Sequence, residues 1–585
     1  MAENRNRRRK SRRRRRGASE NGKKMIPAFI AIVFIILIVC VSFGSTIIDK
    51  YSYGKDRADL DAYFDISDAT DVAIILQNEM IEERAMLSEG TYYVDWDSAQ
   101  KYFNSRFYMN KDEGIIIYTF PTDLEKIVIG TRELVTGNGS ESLSYTPAIY
   151  KGETLYIALD YLKRYTNFSY ETFTEPNRLQ IYTKFEARDT ATIVKNTWVR
   201  VAGGIKSDIL EDMEEGDKVI VLEQMEEWSK VKTMDAMIGY VENKRLSDIL
   251  PEQMLPVTDY VEPEYTSLTR DYKINMGWHV VASAAGNDTL KEVLEGTKGL
   301  NVISPTWFKV SDNAGNFESY ATQKYVDQAH DMGLEVWALL ENIEYANEID
   351  ITSILSSSES RTHLINGLIE EVLTYGIDGI NVDLEQIPRD CGEHYIEFIR
   401  ELSIPCRLNG IVLSIDNYVP TGYTEHYHRK EQGIVADYVI IMGYDEHYAG
   451  SDEAGSVASI DFVETGIKMT VEQVPANKVI NAVPFYTRIW ETKGDSVSSQ
   501  AVDMATAKEY VRGHNIDVVW DDATCQNYGE YTSGDTLYQV WMEDEDSLEV
   551  RLNVMQNYGI GGIAEWRLDF EDHAVWDLIV DYLNR

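Results

Sequence analysis

A chain of 585 residues is too long for one ordinary domain, and 44% hydrophobic content is enough to build several cores. The net charge of −41 is unevenly placed: up to Lys24 there are twelve Lys or Arg against two Glu, so the remainder carries a net −51. A body that acidic excludes nucleic acid as a partner, because duplex binding needs positive charge, and it repels an anionic bilayer or wall polymer, so any wall contact must be local.

Residues 1–24 read as a basic cytoplasmic tail, with runs at Arg7 to Lys10 and Arg12 to Arg16. Residues 25–48 are apolar and uncharged, which predicts a transmembrane helix. A retained anchor is expected rather than a cleaved signal, because the stretch exceeds the usual ~7–15-residue signal core and no clear small-residue cleavage site follows. Flanking Lys and Arg place the tail inside and everything after Asp49 outside, on a bacterial cell surface. Of four cysteines, Cys40 falls in the span, and Cys391, Cys406 and Cys525 leave an odd number beyond it. That is no disulfide framework, although a Cys391–Cys406 bridge is one pairing the count allows, and no Cys/His spacing suits a metal. No metal or cofactor is expected.

Residues 49–74 read as an acidic stalk. Within 75–186 there is a weak repeat: "TYYVDWDSAQKYF" from Thr91 is echoed by "TLYIALDYLKRYT" from Thr154, each a short β-type segment running into a helical one. This α+β stretch resembles the copper amine oxidase N-terminal-like domain of bacterial surface proteins. It has no histidine, so copper itself is not implied. Residues 190–248 read as short strands with a Gly216-Asp217 turn, Trp228 at a strand and a Gly239-Tyr240-Val241 segment. They resemble the bacterial Src-homology-3-like module, a small all-β barrel that binds wall peptides or serves as a spacer. Pro251, Pro256 and Pro263 punctuate a linker over 249–269, which predicts that the rest of the chain folds by itself.

From 270 to 585, short apolar runs alternate with helical stretches. Eight of them read as strands: Lys273–Val281, Asn301–Ser304, Glu335–Leu340, Gly379–Asp383, Gly410–Ser414, Tyr438–Met442, Val479–Val483 and Gly562–Trp566. Near-continuous apolar strands separated by helices imply a parallel sheet covered on both faces, and the count implies an α/β (β/α)8 TIM barrel. The interval from Tyr486 to Glu549 is too long for one crossover and predicts a small α+β insertion. The chain is thus multidomain.

The segment that carries chemistry is "YGIDGINVDLEQIP", Tyr375 to Pro388. Side chains alternate along a strand, so Asn381, Asp383 and Glu385 share the face toward the barrel mouth, while Ile380, Val382 and Leu384 face the helices. Two carboxyls at i and i+2 raise one another's pKa, which keeps one of them protonated as an acid. The segment resembles the DxxDxDxE signature of glycoside hydrolase family 18, the chitinase family, with Asp378 as the first Asp, Asn381 in place of the second, Asp383 as the third and Glu385 as the acid. "IMGYDEHY" with Met442, Tyr444 and Asp445, "AVPFYTRIW" with Tyr486, "GIGGIAEWRLDFED" with Trp566 and "NMGWHVV" with Trp278 are similar to that family's other strand ends.

The resemblance implies substrate-assisted retaining hydrolysis of β-1,4 bonds in N-acetylglucosamine polymers, with cell-wall peptidoglycan the expected substrate and chitin-type oligosaccharides the alternative. Glu385 is then the acid and base, Asp383 the counter-charge and Tyr444 the partner of the acetamido oxygen. Asp378, Asn381, Met442 and Asp445 support them, and Trp566, Tyr486 and Trp278 contact substrate. Asn381 cannot ionise, and its amide is expected to donate to an always-anionic Asp383. The rival reading is a catalytically inactive, lectin-like barrel that anchors to the wall.

Overall fold

A computed structural model describes residues 21–255 and 260–585. Most of the tail and Pro256 therefore lie outside the described residues. The chain divides into two compact units, one of residues up to 94 with 167–259, the other of 95–166 with 260–585.

The first unit opens with a helix, Asn21–Tyr51, whose segment Phe29–Tyr51 has a mean hydropathy of 2.8 and is long and apolar enough to cross a bilayer. A mixed sheet follows, in which Asp71–Leu76 pairs antiparallel with Glu79–Ser88 and parallel with Arg178–Tyr182. A second sheet of seven antiparallel strands spans 187–253 and packs around Val199, Leu210, Val219, Val231 and Val241. Trp228 opens one of its strands and is half-buried rather than central. Pro251 sits inside the last strand, Leu250–Gln253, so the expected linker begins as sheet.

The second unit is built on eight parallel strands: β1 Ile274–His279, β2 Val302–Pro305, β3 Glu335–Glu341, β4 Gly379–Asp383, β5 Val412–Tyr418, β6 Tyr438–Met442, β7 Val479–Pro484 and β8 Gly562–Trp566. Each pairs with the next, and β8 pairs back to β1 through Met276↔Ala564, which closes the barrel. Alternation sorts the side chains. Met276, Trp337, Leu339, Tyr438, Ile440 and Ile480 fill the interior, while Ile380, Val382 and Leu384 join the apolar layer under the helices. Between β7 and helix Glu545–Tyr558 lies the insertion, five antiparallel strands with helix Met504–Gly513 packed on one face. Cys391 and Cys406 are both buried and free, so the bridge the cysteine count allowed does not form.

Residues 95–166 group with this unit and not with the first. Their five-stranded sheet rests on the barrel helices Ser358–Tyr375 and Gly392–Asn409 through buried polar contacts. Thr119 Oγ1 donates to Glu397 at 2.8 Å, Tyr108 Oη lies 2.7 Å from His394 Nδ1, and Arg106 Nε donates to Glu431 at 2.8 Å. Beneath Tyr108, Arg361 is fully buried and forks onto both oxygens of Glu401 at 3.1 and 2.8 Å. Removing one partner of such a pair strands the other charge in the interior. Arg361→Ala should therefore cost about 3–5 kcal/mol, read as a lowered urea midpoint for the barrel's unfolding transition.

Candidate active site

Asp383 and Glu385 line one pocket of about 140 Å³ at the C-terminal ends of the strands, together with Tyr418, Met442, Tyr444, Asp445 and Trp566. β4 delivers Asp383, and the chain then turns through Gln386 at φ 53°, presenting the Glu385 carboxyl at the mouth. Two devices hold Glu385. Asn342, just beyond β3, accepts from its backbone N–H at 2.8 Å and donates to its carbonyl at 3.0 Å. Tyr418, at the end of β5, donates its hydroxyl to Glu385 Oε2 at 2.7 Å.

Burial raises the Glu385 pKa, Asp445 and Glu341 push the same way, and the Tyr418 hydrogen bond opposes them. The carboxyl is therefore suited to hold a proton and give it up. Asp383 is pushed well above the carboxylate range by burial, then by Asp416, Glu385 and Glu341. Its Oδ1 is enclosed and has no hydrogen-bond partner among the described residues. Burial and acidic neighbours thus favour the protonated form of Asp383, the opposite direction to that expected from Asn381.

Asn381 does not donate to Asp383. Its Oδ1 accepts from Trp278 Nε1 at 2.9 Å and Ser304 Oγ at 3.2 Å, and its Nδ2 donates to Ser414 Oγ at 3.1 Å and Asp416 Oδ1 at 2.8 Å. Trp278, expected to touch substrate, is 1% exposed inside the barrel, with its ring edge-on to Trp566 at 5.7 Å. It supports the half-buried Trp566 from below. Tyr486 is likewise buried and outside the pocket lining. Its hydroxyl donates to Asp445, and its ring stands edge-on to Tyr444 at 6.2 Å. Asp378 lies at the opposite end of β4, where its carboxylate accepts from the Val336 N–H at 2.8 Å and meets His330 Nε2 at 2.8 Å. From there it fixes the foot of the strand and cannot reach the mouth.

Asp416 and Tyr418 were not singled out from the sequence. The signal was present: Ser414, Asp416 and Tyr418 alternate along "LSIDNY" just as Asn381, Asp383 and Glu385 do in β4. The strand expected from the sequence, Gly410–Ser414, stops short of both residues.

A parallel eight-stranded barrel with an acid pair and an aromatic floor at its C-terminal mouth has the make-up of a glycosidase-type site. The sequence places it within that class: residues 287–571 match the model of glycosyl hydrolases family 18, so the barrel is a family 18 domain. A Bacillus subtilis (strain 168) protein named as a sporulation-specific glycosylase is 29% identical over 231 residues, covering 38% of this chain and 54% of that protein. The cortical fragment-lytic enzyme of Bacillus anthracis is 26% identical over 255 residues, 42% of this chain and 59% of the enzyme. An uncharacterized glycosylase of Bacillus subtilis (strain 168) is 24% identical over 293 residues, 48% of this chain and 84% of that protein. The match thus spans little more than half the length of the first two relatives.

Tyr418→Phe removes the one contact that holds the Glu385 pKa down. The basic limb of the rate profile should move to higher pH, and kcat should fall about tenfold through lost positioning. A pH–rate series on a soluble oligosaccharide reads both, and an unmoved basic limb would contradict the assigned contact.

Proposed function

We propose that the protein hydrolyses β-1,4 bonds of N-acetylglucosamine-containing polymers, with peptidoglycan as substrate, by substrate-assisted retaining catalysis. The observation that supports this most directly is the convergence of Asp383, Glu385, Tyr444 and Trp566 on one pocket of a family 18 domain. A relative named for lysis of cortical fragments and an apolar N-terminal helix favour a wall polymer over free chitin.

In this reading the sugar lies over Trp566. Its acetamido oxygen, hydrogen-bonded by Tyr444, attacks the anomeric carbon while Glu385 protonates the leaving oxygen. The glycosidic bond breaks with its electron pair on that oxygen, leaving a cyclic oxazolinium. Asp383, as the anion, faces the acetamido N–H and balances the positive charge. Water then opens the ring from the same side, giving its proton to Glu385 and restoring the acid. The helix near the N-terminus anchors the enzyme with its tail inside and its body toward the wall. Residues 190–248 serve, in this reading, as a Src-homology-3-like module that binds wall peptides or acts as a spacer.

Mass analysis of products from purified peptidoglycan and from chitin oligomers tests the substrate. Fragments ending in reducing N-acetylglucosamine from peptidoglycan are expected, and turnover of chitin oligomers alone would reverse the assignment. Glu385→Gln keeps shape but not the transferable proton, so kcat should drop about 10²–10⁴-fold while glycan binding persists. A parent protein that binds these glycans and cleaves none would establish the lectin-like reading instead.

A further inference from the structure

Asn381 occupies the position where a second acid beside Asp383 could have exchanged a proton with it, and an amide cannot take one up. The neighbouring strand carries what β4 lacks. β5 runs parallel to β4 with Asn381 level with Ser414 and Val382 level with Ile415, so the next pair in register is Asp383 and Asp416. Adjacent strands lie about 4.8 Å apart, and both side chains point to the barrel axis. The contacts of the flanking residues fix that direction: Ser414 and Asp416 both bond to Asn381, and Tyr418 bonds to Glu385. Asp416 is 2% exposed, and its Oδ1 is held by the Asn381 amide. Asp383 Oδ1 is enclosed and has no donor among the described residues.

We propose that Asp416 is the proton-sharing partner of Asp383, so that β5 supplies the acid that β4 has replaced by Asn381. The proposal rests on the hydrolase reading given above. In the empty pocket the pair holds one proton, carried by Asp383. When the acetamido N–H of a substrate arrives, the proton passes from the Asp383 carboxyl to the Asp416 carboxylate. Asp383 becomes the anion that faces the oxazolinium, Asp416 becomes neutral, and the charge of the pair stays at minus one throughout. No proton has to leave a pocket closed by the sugar. Burial raises both carboxyls; the charge of Asp416 adds to the rise at Asp383, and that of Glu385 to the rise at Asp416, against the Asn381 hydrogen bond. The other titratable groups facing the pair are Glu341 from β3, Glu385 beyond β4, Tyr444 and Asp445 beyond β6, and Tyr395 and Tyr427 from the helical layer, with Arg429 behind those two tyrosines.

Asp416 is thus a positioning residue that acts through Asp383. In Asp416→Asn, Asp383 is left in a single ionic state. Fixed as the anion, it weakens Glu385 as an acid. Fixed neutral, it offers the oxazolinium no counter-charge. Either way kcat should fall about 10–100-fold with KM nearly unchanged. The double variant Asn381→Asp/Asp416→Asn moves the acid to the other side of Asp383 and should recover most of the loss, which a merely structural role for Asp416 would not allow. The full chain in detergent, followed by the infrared bands of buried carboxyls across pH, should show two separated ionisations for the pair. It should show one in Asp416→Asn, one in Asp383→Asn, and two again in the double variant. Parent-level kcat in Asp416→Asn, no recovery in the double variant, or a single ionisation in the parent would each overturn the proposal. A parent that cleaves no glycan would remove the hydrolase reading while leaving the infrared titration to decide on the shared proton.

Discussion

The side chain of Asn381 is the joint on which the mouth of the barrel depends. It lies fully buried on β4 and reaches three other strands at once, accepting from Trp278 on β1 and Ser304 on β2 and donating to Ser414 and Asp416 on β5. An amide accepts two bonds at its oxygen and donates two from its nitrogen without changing protonation state. An ionised carboxylate at this position would face Asp416 with like charge, so Asn381 and Asp416 are complementary choices. Each bond contributes about 0.5–1.5 kcal/mol, and losing the residue would leave several buried groups unpaired at larger cost. The indole held by Asn381 supports the ring of Trp566, and the strand that carries Asn381 carries both acids. The ring of Trp566 and the strand end at Asp383 are therefore both braced by one side chain.

The pocket around this joint concentrates carboxyls, with Asp383, Asp416, Glu385, Glu341 and Asp445 within electrostatic reach of one another. Such a cluster in a low-dielectric setting cannot all ionise, and the protons it retains are what acid catalysis uses. The arrangement separates tuning from aim. Burial and neighbouring charges raise the Glu385 pKa, whereas the Asn342 clamp and the Tyr418 hydroxyl fix its direction. A change to either should therefore leave a different kinetic signature.

The barrel was legible because parallel strands covered on both faces leave continuous apolar runs, and all eight observed strands overlap the runs read from the sequence, β5 extending four residues beyond its run. The alternation in β4 was legible for the same reason. What escaped was whatever depends on partners far away in the chain. Asp416 and Tyr418 follow a polar-interrupted strand end, where hydrophobicity no longer marks the strand. Trp278 read as a sugar contact because an aromatic near a strand end gives no sign of how deep it lies. The insertion announced itself by length alone. The place of residues 95–166 had no local signature, since the periodicity of Ile115 to Thr119 shows that a face is buried but not which helices bury it.

That last packing has a consequence for how the chain is made. Thr119 meets Glu397 across 278 residues, and the apolar cluster of Tyr108, Ile115 and Ile117 belongs to the same sheet. Synthesis runs from the N-terminus, so this sheet emerges long before helix Gly392–Asn409 exists to receive it. Until then its buried face is open to water and to other chains. The nascent chain therefore carries an uncovered hydrophobic face through the synthesis of the 278 residues that separate Thr119 from Glu397.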